Sequence, residues 1–208
     1  MAAARFVLHH APRSRSDRIL WLLEEAGAAY EIARHDLEQG TQKAAAYLAV
    51  NPFGKVPALV DRGPDGTWRD VAVTESLAIC AYVADVLPDA RLAPAPNTPA
   101  RAAYATWMAT AAAVLEPAFV DLAFPRAEPA PAMALGWPSA EVAQAALEAR
   151  LGQVPFVAGE DFSAADIMVG GLMQWLVGWG KATPGPHLAR YLAGIAARPA
   201  LARAKAAS

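Results

Sequence analysis

The segment Asn51-Pro-Phe-Gly-Lys-Val-Pro-Ala-Leu59 combines two prolines and a glycine with the start of an apolar run. This combination predicts a tight loop that leads into a β-strand beginning near Pro57. A proline at the start of a strand cannot donate a hydrogen bond to the sheet, so backbone groups beside it are left for another partner. A cis bond between Val56 and Pro57 is one way to turn those groups towards a ligand, because cis bonds are almost restricted to proline.

The apolar residues on both sides of this loop predict an alternating α/β domain. Short apolar runs indicate strands, and apolar residues at helical spacing indicate helices. In chain order the expected elements are strand 5–9, helix 16–26, strand 30–35, helix 41–48, strand 57–60, strand 71–73 and helix 76–86. The order βαβαββα with short right-handed crossovers gives a mixed sheet with helices on both faces.

The second half of the chain has a helical pattern throughout. The stretch 88–99 holds four prolines, which is typical of an interdomain linker. We therefore expect a first domain over 1–86, a linker over 87–97 and an all-helical domain over 98–208. Helices are expected near 98–122, 139–152, 163–177 and 186–197, with a short tail helix after Pro199. Pro117 should kink or end the first of these helices.

Composition limits the classes of protein and partner. The formal net charge of −2 over 208 residues does not favour nucleic acid or an anionic membrane surface. The single cysteine, Cys80, excludes an internal disulfide and a CxxC redox pair, and it fits a reducing compartment. We expect a cytoplasmic protein without a signal peptide, a membrane-spanning helix or a bound metal.

Two loops with hydroxyl side chains precede predicted helices. Thr74-Glu-Ser76 places a hydroxyl and free backbone N–H groups at a helix N-terminus, which suits a carboxylate ligand, although Ser76 alone is equally a plain N-cap. Ser14-Arg-Ser-Asp-Arg18 lies between the first strand and the first helix. A hydroxyl that donates to a thiolate there contributes roughly 1.5–3 kcal/mol, which lowers the thiol pKa by about one to two units.

These motifs resemble those of the glutathione transferases. The string N-P-x-G-K-V-P-A-L is similar to the loop before the cis-proline of that family, which implies that the backbone of Val56, beside Pro57, pairs with the cysteinyl part of glutathione. The Glu-Ser pair implies that Glu75 meets the γ-glutamyl ammonium and Ser76 its carboxylate. The resemblance also implies that the first domain is thioredoxin-like and that an all-α domain follows it.

The resemblance is to members of the family that use a serine. Ser14 matches best, four residues before Arg18; Ser16 is the alternative, although it is equally a candidate N-cap, and a neighbouring arginine or a backbone N–H stays open. The loop contains no cysteine and the chain starts without a tyrosine, so the cysteine-type and tyrosine-type chemistries are not expected. Lys43 and Lys55 are candidates to meet the glycyl carboxylate of glutathione.

Two features of the helical domain concern its stability and the binding of the electrophile. Ser163-x-x-Asp166 precedes an apolar run and predicts a capping box, which we assign to stability. By the resemblance, Tyr104, Trp107 and Met108 line the pocket for the electrophile, although the same helical spacing suits core residues.

The resemblance implies a detoxifying glutathione S-transferase that acts as a homodimer. Glutathione is the co-substrate, no metal takes part, and the thiolate attacks a small apolar electrophile. Two alternatives stay open. One is a non-catalytic glutathione- or ligand-binding protein of the same fold, and the other is a glutathione-dependent peroxidase or dehalogenase.

Overall fold

The computed structural model describes residues 4–69, 71–128 and 130–208, without the side chain of Ala132. The chain forms two compact units: Met1–Arg91 together with Arg198–Ser208, and Leu92–Ala197. Residues 1–3 of the predicted first domain lie outside the described residues.

A four-stranded mixed sheet forms the centre of the first unit. Its strands are β1 (Phe6–His10), β2 (Tyr30–Arg34), β3 (Ala58–Asp61) and β4 (Val71–Thr74), in the spatial order β2-β1-β3-β4. β2 is parallel to β1, whereas β3 is antiparallel to both β1 and β4. A parallel pair needs a crossover connection, and helix α1 (Asp17–Glu25) supplies it.

Three helices complete the predicted βαβαββα order of this unit. After α1, the chain forms a short 3₁₀ turn (Thr41–Lys43) followed by α2 (Ala45–Leu48), and α3 (Ser76–Val86) follows β4. The apolar side chains of α1 are buried, as their helical spacing predicts. The predicted element order is confirmed.

The tail helix α9 (Pro199–Ala207) packs against α1 and therefore groups with the first unit. The Arg198 guanidinium donates two hydrogen bonds to the Glu25 carboxylate, and Arg203 donates to Glu24. From the sequence we expected the whole of 98–208 to belong to the helical domain. The structure instead groups the tail from Arg198 onwards with the first unit. Charge pairs between segments so far apart in the chain leave no local pattern in the sequence.

The second unit is all-helical. Its helices are α4 (Pro99–Thr110), α5 (Glu116–Ala123), α6 (Ala140–Leu151), α7 (Ala164–Gly178) and α8 (Pro186–Ala196). A π-helical segment, Ala111–Leu115, joins α4 to α5, so Pro117 marks a change of helical form where the sequence predicted a kink or an end. Proline is tolerated in the first turn of a helix, which is where Pro117 lies. Among the described residues, no helix is long and apolar enough to cross a membrane.

The predicted capping box stands at the start of α7, formed by Ser163 and Asp166. The buried Asp166 carboxylate accepts hydrogen bonds from Ser163, from the Val157 N–H and from the Tyr191 hydroxyl of α8. Burial raises the pKa of Asp166, while these hydrogen bonds act in the opposite direction. One side chain thus ties α7 to the preceding loop and to α8.

Asp166→Ala should lower the free energy of unfolding by about 2–4 kcal/mol, because the cap is lost and buried donors are left without an acceptor. Urea denaturation followed by circular dichroism measures this loss. Glu160→Ala, at an exposed position nearby, is the matched control and should change the free energy by less than about 0.5 kcal/mol. A variant at position 166 as stable as the parent protein would contradict the structural role.

Candidate functional site

The sheet register brings three chain segments to one edge of the first unit. His9 of β1 lies opposite Ala58 of β3, and Ala58 lies opposite Thr74 of β4. At this edge the chain leaves β1 into the serine loop (residues 11–16), enters β3 from the proline loop (residues 51–57), and leaves β4 into the Glu-Ser pair. All three motifs predicted to bind glutathione therefore lie at the same edge.

The side chain of Asn51 holds the proline loop in shape. Asn51 is buried, its Oδ1 accepts from the Phe53 N–H at 3.1 Å, and its Nδ2 donates to the Lys55 carbonyl at 2.8 Å. The Tyr47 hydroxyl of α2 donates to the same Lys55 carbonyl. Both contacts fix the backbone just before the Val56–Pro57 bond.

Gly54 allows Lys43 to pack closely against this loop. Its φ is +57°, and a Cβ at this position would lie 2.8 Å from the Lys43 Nζ. The Lys43 ammonium donates to the Phe53 carbonyl at 3.0 Å. Lys43, a candidate to bind the glycyl carboxylate, is therefore held beside the loop by a contact within the protein.

The other candidate glutathione-binding residues of the proline loop lie at the end of that loop. The Lys55 side chain is exposed, Val56 is half-buried and Pro57 is buried. The Val56–Pro57 bond is cis, as considered from the sequence. Val56 precedes Ala58, the first residue of the β3 ladder, so its backbone lies outside the strand pairing.

The Glu-Ser pair begins α3 with an unusual backbone conformation. Glu75 has φ of +66°, in the left-handed region that non-glycine residues rarely occupy, and its side chain is exposed. Ser76 is buried as the first residue of α3. Backbone strain of this kind costs on the order of 1–3 kcal/mol and tends to occur at ligand-binding sites.

The two candidate serines differ in environment. Ser14 is half-buried, and its Oγ lies 2.7 Å from both the Ala11 carbonyl and the Ser16 Oγ. Ser16 is fully buried, and its Oγ contacts His10 Nδ1 at 2.8 Å as well as both backbone groups of Ala11. Ser16 precedes α1, but its side chain makes no capping hydrogen bond. Of the two serines, only Ser14 is partly exposed.

The cysteine of the chain, Cys80, is not suited to act as the reactive thiol of this site. Cys80 is fully buried in α3, and burial raises the pKa of its thiol to about 12. A thiol with such a pKa is neutral at physiological pH and therefore a poor nucleophile. Within the described parts of the chain, no three histidine, cysteine or acidic side chains form a cluster that could hold a metal ion.

The candidate electrophile residues lie on α4 in the second unit. Tyr104 and Met108 are buried, and Trp107 is half-buried. The Arg101 guanidinium lies 5.2 Å from the centre of the Tyr104 ring. These positions suit core packing as well as a pocket, so the pocket role stays a prediction.

Both units match one protein family. Residues 5–85 match the glutathione S-transferase N-terminal domain, and residues 143–194 match the glutathione S-transferase C-terminal domain. Glutathione S-transferase 3 of Zea mays is 32% identical over 203 residues, which cover 91% of this chain and 88% of that protein. The chain belongs to the glutathione transferase family.

Solved glutathione transferases share the fold of the whole chain. A sphingomonad glutathione S-transferase complexed with glutathione is 33% identical, with a TM-score of 0.76 over 97% of this chain and 98% of that one. BphK, a bacterial glutathione transferase solved as a ternary complex, is 28% identical, with a TM-score of 0.79 over the same shares of both chains. The thioredoxin-like domain with an all-α domain is confirmed, and the function is that of a glutathione transferase.

Three further side chains, not expected from the sequence, shape the edge of this glutathione transferase: His10, Tyr47 and Asn51. His10 is the last residue of β1, directly before the serine loop. This position in the sequence was the one sign that its side chain could act in the site. Asn51 is the first residue of the proline loop, but only the structure shows its amide joining Phe53 to Lys55. Tyr47 acts across eight residues, which no local pattern reveals.

Asn51→Ala should weaken glutathione binding by about tenfold or more, because the loop before Val56 loses the two hydrogen bonds that hold its shape. Isothermal titration calorimetry with glutathione measures the change in Kd. Gln39→Ala, which removes an exposed amide side chain outside the loop, is the control and should leave Kd unchanged. Equal Kd values for both variants would show that Asn51 does not organise the binding edge.

Proposed function

We propose that this glutathione transferase joins the glutathione thiolate to a small apolar electrophile, and that the Ser14 hydroxyl donates a hydrogen bond to the sulfur. The observation that carries this assignment is the difference in burial between the two serines. Ser14 is half-buried, whereas Ser16 is fully buried and already in contact with His10 and Ala11. The partly exposed serine is therefore the one that we expect a ligand sulfur to approach.

The tripeptide contacts follow from the three segments at the sheet edge. The Val56 backbone, outside the strand ladder, is free to pair with the cysteinyl unit of glutathione. Ser76 and the first N–H groups of α3 supply donors and the positive end of a helix dipole for the γ-glutamyl carboxylate. Glu75, exposed beside them, supplies the negative charge for the ammonium.

We propose that Lys43, Lys55 or both meet the glycyl carboxylate. Lys43 is exposed, and its ammonium donates to the Phe53 carbonyl, which leaves two further N–H donors. Lys55 is exposed at the end of the proline loop. Either ammonium group supplies the positive charge that pairs with a carboxylate, so both lysines are candidates to bind it.

We propose Tyr104, Trp107 and Met108 as the residues that meet the electrophile, and detoxification in the cytoplasm as the role. The low polarity of these side chains favours an apolar substrate. We further propose a homodimer, since symmetric dimers are the commonest oligomers. Analytical ultracentrifugation giving a mass near 21.8 kDa at micromolar protein concentration would exclude the dimer.

Ser14→Ala should reduce the conjugation rate by about tenfold or more near neutral pH, with little change in glutathione affinity. Loss of a hydrogen bond to the thiolate raises the thiol pKa by about one to two units, and each unit lowers the thiolate fraction tenfold. The rate against a general electrophile is measured across pH 6–8, and Kd by calorimetry. Full activity of the variant throughout this range would refute the role of Ser14.

The same assays separate an enzyme from a binding protein. Retention on a glutathione-affinity resin with turnover of a general electrophile supports the proposal. Retention without turnover of any electrophile favours the non-catalytic binder. Turnover confined to peroxides or to haloalkanes with halide release favours the peroxidase or dehalogenase alternative.

A further inference from the structure

A chain of hydrogen bonds leads from Ser14 into the interior of the first unit. Ser14 Oγ lies 2.7 Å from Ser16 Oγ, which lies 2.8 Å from His10 Nδ1. On the other side of the imidazole, His10 Nε2 lies 3.2 Å from Ser208 Oγ, which lies 2.9 Å from Asp17 Oδ1. A buried histidine therefore connects a carboxylate to the candidate thiol-binding serine.

The carboxylate end of this hydrogen-bond chain, at Asp17, sets the direction of its hydrogen bonds. A carboxylate only accepts, so the Ser208 hydroxyl donates to Asp17 and offers its lone pairs to His10. His10 then donates through Nε2, and its Nδ1 is left to accept the hydrogen of the Ser16 hydroxyl. In the resting protein the ring is thus a neutral acceptor on the side that faces the serine loop.

The Ser14 hydrogen also points inward in this state. Its acceptors are the Ser16 Oγ and the Ala11 carbonyl, each at 2.7 Å, while Ser14 Oγ itself accepts from the Ser16 N–H at 3.1 Å. A second lone pair of Ser14 is therefore available to accept the S–H of an incoming thiol. Between Ser14 and His10, the hydroxyl hydrogens therefore face away from the ligand.

We propose that His10 is a positioning residue that orients the Ser16 and Ser14 hydroxyls and accepts, through them, the proton lost by the bound thiol. The S–H bond breaks as a Ser14 O–H bond forms, Ser14 passes its own proton to Ser16, and Ser16 passes its own to His10 Nδ1. Each hydroxyl ends neutral, with its new hydrogen towards the ligand. The sulfur carries the negative charge and the imidazolium the positive one, so the net charge of the site does not change.

The charges around His10 suit both states of the ring. Burial lowers the pKa of His10, which keeps the resting ring neutral and able to accept. Asp17 of α1 acts in the opposite direction and stabilises the imidazolium through Ser208, whereas Arg34 of β2 lowers the pKa further. The attraction between imidazolium and thiolate offsets part of the cost of charging a buried ring.

This inference rests on the proposed contact between Ser14 and the thiol. Its test measures whether the thiol proton is released to the buffer or stays on the protein. Glutathione is titrated into the protein at neutral pH in buffers of different ionisation enthalpy, and the ultraviolet absorbance of the bound thiolate is read in parallel. Calorimetry in two such buffers gives the number of protons released on binding. If the proton stays on His10, the bound thiolate forms and no proton is released to the buffer.

The informative variant is His10→Asn, because its side-chain oxygen can accept from Ser16 but cannot take up a proton at neutral pH. The parent protein should form thiolate with close to no proton released, whereas His10→Asn should release about one proton per thiolate formed. The conjugation rate of the variant should fall about tenfold for each unit by which the thiol pKa rises. His187→Asn is the matched control, since His187 lies on α8 in the second unit and is not part of this hydrogen-bond chain.

The possible results lead to different conclusions. Thiolate in the parent protein with one proton released to the buffer would overturn the role of His10 and leave the role of Ser14 intact. Glutathione bound without thiolate, or no binding at all, would overturn the proposed contact at Ser14 and this inference with it. Urea denaturation of His10→Asn checks that an altered proton count does not reflect unfolding.

Discussion

His9 of β1, Ala58 of β3 and Thr74 of β4 stand opposite one another in the sheet, and the rest of the site depends on this register. A slip by one residue would turn every side chain of a strand to the opposite face. It would also move the proline loop away from the Glu-Ser pair. The buried side chains of β1 and β3, such as Leu8 and Leu59, hold the register because they cannot leave the core. Apolar packing therefore fixes the positions of polar groups at the edge.

The site places its polar groups at two depths. In the outer part, Ser14 is half-buried and Glu75 is exposed, whereas Ser16, His10 and Asn51 are buried and satisfied within the protein. Burying a polar group without a partner costs on the order of 1–3 kcal/mol, so these inner contacts are required for stability. The contact of Ser16 with Ser14 also orients the outer hydroxyl before a ligand arrives. Such preorganisation reduces the cost of ordering the site when substrate binds.

The sequence was sufficient to predict what local chemistry determines. The order of elements, the proline loop, the bounds of α3 and the capping box at Ser163 each depend on neighbouring residues, and each is present in the structure. The docking of α9 on α1 and the contact of Ser208 with His10 join residues far apart in the chain, and single charges or hydroxyls carry no information about such partners. The choice between Ser14 and Ser16 belongs partly to this group: the sequence favours Ser14, but the difference in burial between the two serines is visible only in the structure.

The docking of α9 links the stability of the first unit to the state of the serine loop. The ion pairs of Arg198 with Glu25 and of Arg203 with Glu24 hold α9 against α1, and Ser208 follows at the end of that helix. If α9 moved away, His10 would lose its hydrogen-bond acceptor at Nε2 and the bridge to Asp17 with it. The ring would then be free to take the other tautomer, with a hydrogen on Nδ1 directed at Ser16. With the proposed hydrogen-bond directions, Ser208 at the end of α9 thus sets which way the hydroxyl hydrogens of the serine loop point.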